Sequence, residues 1–372
     1  PMKYTGIAVL VLSANLAWGG VYSRTDWVRF GLASSVNSNV YALAFDSAGR
    51  LYAGGEFSLA GETPVNFVAR WNGTSWESLG GGFNAPVRAL AISSSGVVYA
   101  GGDFTSAPGV GEVNRIARWN GTNWQAVGSG MNNRVRTLMF DASGNLCAGG
   151  DFTTAGGAAA LRVARWNGSA WSAMGSGFGS NVYSMVRDGT NIFAGGVFTN
   201  SGATRVRRVG RLHGTNWVEQ GTGMTGPVYA MAYSGGNLFV GGDFLMGASG
   251  HDNIARWNGA GWFEVGNGMS DTVHVLIPDG SGGVYAGGDF YFIAGLNYVG
   301  RWNGSAWSAV GMEAPGTVYA LALDATGRLC AGGGGTRYPQ QWRTGGEWSG
   351  LFDACLNGPV RAVTVDVLGN LY

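Results

Sequence analysis

One large hydrogen-bonding side chain returns along this chain at an almost constant interval. It is Tyr41, Arg88, Arg136, Tyr183, Tyr229, His274, Tyr319 and Arg361. Tyr and Arg dominate binding hot spots, because each joins a large contact area to hydrogen-bonding groups. The position that follows is small in most copies, as in Ala42, Ala89, Ala230 and Ala320. Gathered on one rim, the eight would make a binding surface. The other reading is packing, with apolar bodies between layers and polar tips reaching water.

Two further series carry charge. An acid follows a double glycine as Glu56, Asp103, Asp151, Asp243 and Asp289. An arginine opens an Arg-Trp-Asn-Gly motif or its variant as Arg70, Arg118, Arg165, Arg211, Arg256 and Arg301. One repeat lacks both, with Gly334 and Gln341, and another keeps Arg211 against Val197. The joint loss predicts that the two form an ion pair between neighbouring strands; a ligand-binding ring of carboxylates is the other reading. A third series, Asp46, Asp141, Asp188, Asp279 and Asp324, lacks the alternating carboxylates of a calcium loop and reads as turn caps. Asn72, Asn120, Asn167 and Asn303 match glycosylation sequons, which Asn-Gly turn chemistry already explains. Arg205, Arg207, Arg208 and Arg211 read as a solvated loop rather than a phosphate site. Cys147, Cys330 and Cys355 supply neither a disulfide framework nor zinc spacing. No paired carboxylates, triad or metal cluster recurs, so the chain is expected to be no enzyme and to need no cofactor.

A repeat must position these residues. A valine opens each unit at positions 40, 87, 135, 182, 228, 273, 318 and 360, and such a period decides the fold class. In the second unit, Val87–Ile92, Val97–Phe104, Arg115–Trp119 and Trp124–Val127 read as four antiparallel strands, here a to d. Asn120-Gly121 is a type I′ hairpin between c and d. Such a sheet is apolar on both faces, and stacking around an axis buries both, as in a β-propeller. Strand a agrees, with Ala42 and Ala44 on one side against Leu43 and Phe45 on the other. Counting predicts an all-β propeller of seven complete blades plus a partial eighth. The eighth would join a d strand at 27–31 to strands at 360–365 and 370–372, with the chain truncated inside strand b. A seven-bladed ring with unpaired flanks is the alternative. Repeat length varies chiefly in the b–c loops, where binding specificity on a rigid scaffold usually lies.

Composition narrows the partners. Gly accounts for 68 of 372 residues without a collagen triplet, consistent with many turns. Charged residues are only 12% and the net charge is +1 with mixed signs, which argues against a nucleic-acid partner, since that would need a basic stripe. Residues 1–19 carry one lysine, an apolar run and small residues, and read as a signal peptide rather than a membrane span. The expectation is therefore a propeller over 20–372, secreted or at the cell surface, with no span in the mature chain.

The double glycine closing strand b, followed by a paired aromatic unit, resembles kelch-type propeller repeats of the secreted bacterial kind. The matching residues are Gly54-Gly55 with Trp71 and Trp76, Gly101-Gly102 with Trp119 and Trp124, Gly149-Gly150 with Trp166 and Trp171, and Gly287-Gly288 with Trp302 and Trp307. The first aromatic is Trp where kelch repeats favour Tyr, and the pair is five apart, slightly closer than usual. The resemblance implies protein or glycan binding. The copper site of the family's oxidases does not carry over, since His213, His251 and His274 fall at unrelated repeat positions. The expected function is a non-enzymatic binding module working through its loop-rich face and channel mouth. Two alternatives are an enzyme acting on polysaccharide there, lyase or hydrolase, and a structural spacer of a larger surface protein.

Overall fold

Each described repeat builds a four-stranded antiparallel sheet with its strands in the order a-b-c-d. The computed structural model describes residues 36–350 apart from 73, 246–252, 293–295, 311–316, 325–326, 328, 334–339 and 344–346. The expected signal peptide, the strand at 27–31, the strands after 360 and Arg361 lie outside the described residues. The inner strands a are Val40–Phe45, Val87–Ile92, Val135–Phe140, Val182–Asp188, Val228–Ser234 and Val273–Pro278. They open six blades whose four strands are all in place. A further sheet runs Val318–Leu323, Leu329–Gly333, Gln340–Arg343 and Glu347–Gly350, and the side chains of its outer two strands are not described.

The count of seven complete blades plus a partial eighth is corrected by how the ring closes. Strand Val318–Leu323 packs directly against strand Val40–Phe45. Ala320 and Ala322 share a core with Leu43 and Phe45. The six blades and this closing sheet therefore leave no gap for an eighth between first and last. A sequence period counts repeats but does not measure the angle each blade occupies, so it could not decide closure.

Stacking follows the small-against-large rule. Ala89 and Ala91 of blade 2 share a core with Leu138 and Phe140 of blade 3. Ala230 and Ala232 of blade 5 share one with Leu276 of blade 6. The double glycine has two separate causes. A Cβ on Gly101 would stand 2.6 Å from the Val135 Cγ1 of the next blade, and one on Gly287 would stand 2.5 Å from Val318 Cγ1. A Cβ on the second glycine, Gly102, would strike the carbonyl oxygen of Pro86 in its own blade. The first glycine therefore admits the neighbour's valine, and the second admits the chain entering strand a.

The paired tryptophans lock the outer edge. Trp119 and Trp124 sit with ring centres 5.4 Å apart. Trp124 Nε1 donates to the Leu79 carbonyl of the preceding blade at 2.8 Å. The same bond joins Trp171 to Val127, Trp217 to Met174, Trp262 to Gln220 and Trp307 to Val265. The expected type I′ turn between c and d is instead a four-residue loop, Asn120 to Asn123, in which Gly121 takes the positive φ and Asn120 Oδ1 accepts the backbone N–H groups of Thr122 and Asn123.

A Gly101→Ala variant is expected to lose roughly 1–3 kcal/mol through overpacking against Val135. Adding Val135→Ala should cost less than the two separate losses combined, measured by urea unfolding. Strict additivity would show that the glycine does not exist for the neighbouring valine.

Candidate functional site

The recurring residue of strand a occupies a special backbone position. In blade 2, Val87 pairs with Gly102 and Ala89 with Gly101, so Arg88 is the extra residue of a β-bulge. The same register shift isolates Tyr41, Arg136, Tyr183, Tyr229, His274 and Tyr319. A bulge breaks the two-residue alternation and re-aims one side chain while the strand on either side keeps its packing.

Six of these residues line one cavity of about 400 Å³ where the inner strands meet: Arg88, Arg136, Tyr183, Tyr229, His274 and Tyr319. Thr272 and Asp289 complete its wall. Tyr41 does not line it; its ring is buried under Arg88, whose Cζ lies 4.6 Å from the ring centre. Arg136 covers Tyr183 in the same way at 4.8 Å. From there the rings touch in series. Centre distances are 5.3 Å for Tyr183–Tyr229, 6.0 Å for Tyr229–His274 and 4.9 Å for His274–Tyr319. Burial raises the pKa of the Tyr229 hydroxyl, with Tyr183 and Asp243 adding to the effect, so it stays a neutral phenol at physiological pH.

The expected ion pair between the acid after the double glycine and the motif arginine is overturned. Arg70 pairs with Glu77 at 2.6 Å, Arg165 with Asp141 at 3.0 Å and Arg301 with Asp279 at 2.8 Å. Register explains this. Arg70 stands opposite Tyr52, four residues back from Glu56 and so roughly 13 Å away along the strand. The acid belongs to the bulge instead. Arg88 Nη2 lies 2.7 Å from Asp103, Arg136 Nε 2.6 Å from Asp151, and His274 Nε2 2.7 Å from Asp289. Arg134 also bonds to Asp103. Sequence reasoning missed these pairs, although their signal was present: a constant separation of 15 residues at 88/103, 136/151 and 274/289. It also missed Thr272, which no periodicity marks.

The turn-cap reading agrees with Asp46, Asp141 and Asp279, each of which accepts two backbone N–H groups of its own turn. Arg205 and Arg207 lean on Glu219. Burial pushes the Cys147 thiol up to about 11, leaving it unreactive. Among the described residues, no group of three His, Cys, Asp or Glu side chains could hold a metal ion. Nor is any helix among them long and apolar enough to cross a membrane.

No family model matches the sequence, and no curated protein matches it. Solved structures do match in fold. A computationally designed protein, Ika8, is 17% identical over 89% of this chain and 92% of its own, with a TM-score of 0.56. The WD40 β-propeller domain of Doa1 is 12% identical over 82% and 94%, with a TM-score of 0.53. A catalytically inactive virginiamycin B lyase from Staphylococcus aureus with quinupristin is 12% identical over 82% and 94%, with a TM-score of 0.51. These likenesses establish a β-propeller fold, which is compatible with a binding module.

Burial alone would raise the Asp103 carboxyl, but hydrogen bonds from Arg88 and Arg134 outweigh it and hold the pKa below the usual carboxylate range. A depressed folded pKa gives stability that is fully present above the unfolded value of about 3.9 and lost as pH falls through the folded one. Asp103→Asn is therefore expected to be less stable than the parent at neutral pH, with the gap closing below about pH 4. Urea midpoints across pH measure this; a gap that persists undiminished into strong acid would rule the linkage out.

Proposed function

We propose that this chain is a secreted, kelch-like propeller that works as a non-enzymatic binding module, holding glycan or protein at its channel mouth. The observation that carries the reading is the convergence of bulge residues from successive sheets on one cavity of about 400 Å³. That volume falls within the usual range for small-ligand sites, roughly 300–1,000 Å³. A concave pocket of this size suits a glycan end better than a flat protein face, which would bury about 800 Å² per partner. Aromatic rings and fixed polar groups are the lining such sites use.

A second reading has one observation in its favour. His274 is hydrogen-bonded to Asp289, stands between Tyr229 and Tyr319, and faces the cavity. A histidine oriented by a carboxylate can serve as an acid or base, so a polysaccharide lyase or hydrolase is the alternative. Both a lyase and a WD40 domain stand among the structures this fold resembles.

Glycan-array and pull-down screening should find a ligand whose affinity falls about tenfold or more in Tyr229→Ala, a loss of about 1.4 kcal/mol or more. Product release from a polysaccharide, abolished by His274→Ala, would install the enzyme in its place. Failure of both screens would leave the chain as a structural spacer.

A further inference from the structure

We propose that the mouth takes a neutral pyranose, the end unit of an uncharged glycan, with one sugar face on the tyrosine arc and its hydroxyl edge on the arginine arc. The inference rests on the reading of the mouth as a glycan-binding site and assigns the class of sugar.

The cavity wall is divided. Blades 2 and 3 contribute Arg88 and Arg136, whereas the sheets that follow contribute Tyr183, Tyr229, His274 and Tyr319. Two arginines ordinarily point to an anionic ligand. Here each already holds a carboxylate. Arg136 spends Nε and Nη2 on the two oxygens of Asp151, at 2.6 and 2.8 Å. Arg88 spends Nε and Nη2 on Asp103, at 2.8 and 2.7 Å. Arg134 reaches toward both aspartates. Arg115 and Arg162 donate to the backbone carbonyls of Asp103 and Asp151, which fixes that strand end further. To gain a bidentate grip an incoming carboxylate or sulfate would have to displace an aspartate, and on Nη1 alone it would sit beside one in a partly buried site. An ammonium ligand meets the opposite obstacle, since the two guanidinium groups lie in the same wall.

A hydroxyl meets neither obstacle. A guanidinium has five N–H donors, so Nη1 remains for the ligand after Nε and Nη2 are spent. Each paired arginine therefore presents a donor to the cavity with its charge already met, and Asp289 is the carboxylate in the wall. Neighbouring sugar hydroxyls both donate and accept, a match that a carboxylate or an ammonium cannot make. The opposite arc supplies tilted ring faces, with Tyr183 and Tyr229 at 57° and His274 and Tyr319 at 55°. The negative faces of such rings suit the C–H face of a pyranose.

The test titrates the full chain with neutral cello-, xylo-, manno- and galacto-oligosaccharides, with trigalacturonate, and with fully deacetylated chitotriose. The expected result is binding of at least one neutral oligosaccharide, insensitive to added salt and weakened about tenfold or more by Tyr229→Ala. Asp151→Asn removes the partner of Arg136 and should create trigalacturonate binding that salt abolishes. A thermal melt checks that this variant folds. Arg136→Gln, the second variant, should weaken the neutral ligand and create no acidic binding. Preference of the parent chain for trigalacturonate or chitotriose, lost in Tyr229→Ala, would overturn the neutral class and leave the mouth as the binding site. Binding of no sugar in the panel would overturn both. A folded Asp151→Asn that gains no affinity for trigalacturonate would overturn the role given to the aspartates.

Discussion

The structure depends on one blade's valine entering the space that the first glycine of the pair leaves in its neighbour. Val135 stands where a side chain on Gly101 would be, and Val318 where one on Gly287 would be. A four-stranded sheet with two apolar faces needs that closeness, because interiors pack to crystal density and a gap forfeits dispersion contacts. Near the axis the inner strands crowd, so small residues of one blade must meet large residues of the next. Farther out there is more room, and the tryptophan pairs fill it. The indole N–H of the strand-d tryptophan bonds to a carbonyl of the preceding blade, giving a directional anchor as well as an apolar one.

The same packing feature builds the site. The second glycine lets the chain entering strand a come close to the end of strand b. The next residue then donates its N–H across that gap: Asp103 to the Pro86 carbonyl, Asp151 to Arg134 and Asp289 to Thr272. That bond sets the acid beside the register shift that ejects the bulge residue. A double glycine required for stacking therefore delivers a carboxylate to within hydrogen-bond reach of a side chain facing the cavity. The functional arrangement uses the geometry of the fold and adds only side-chain identity.

Period, strand content and the small-and-large faces were legible in the sequence because each is a local pattern with a single physical cause. The recurrence of Tyr, Arg and His in strand a was legible for the same reason, and the structure gathers six of those residues around one cavity. Two things were not legible. Ring closure depends on the angle between blades, a sum of many small packing differences that no single residue reports. The partner of each acid depends on register. Treating the acid and the motif arginine as neighbours ignored the four residues that separate Tyr52, the residue opposite Arg70, from Glu56. The 15-residue spacing between the bulge residue and the acid was visible, but only the bulge shows why that spacing brings two side chains together.

Differences among the blades separate what stacking requires from what the mouth requires. The bulge is present in all six blades and in the closing sheet, whichever side chain it carries. The acid is not uniform. Where the bulge residue is Arg88, Arg136 or His274, the acid is present and hydrogen-bonded to it. Where it is Tyr183, the position is Val197, whose backbone still bonds to the Asn181 carbonyl. Stacking therefore tolerates loss of the carboxylate, since blade 4 keeps its sheet and its Trp217 anchor without one. Acids also stand behind Tyr41 and Tyr229, as Glu56 and Asp243, so the carboxylate accompanies each described basic residue of the rim without being confined to them. Asp103 and Asp151 hold Arg88 and Arg136 in place and offset their charge, and the divided chemistry of the cavity wall follows from which side chain each bulge carries.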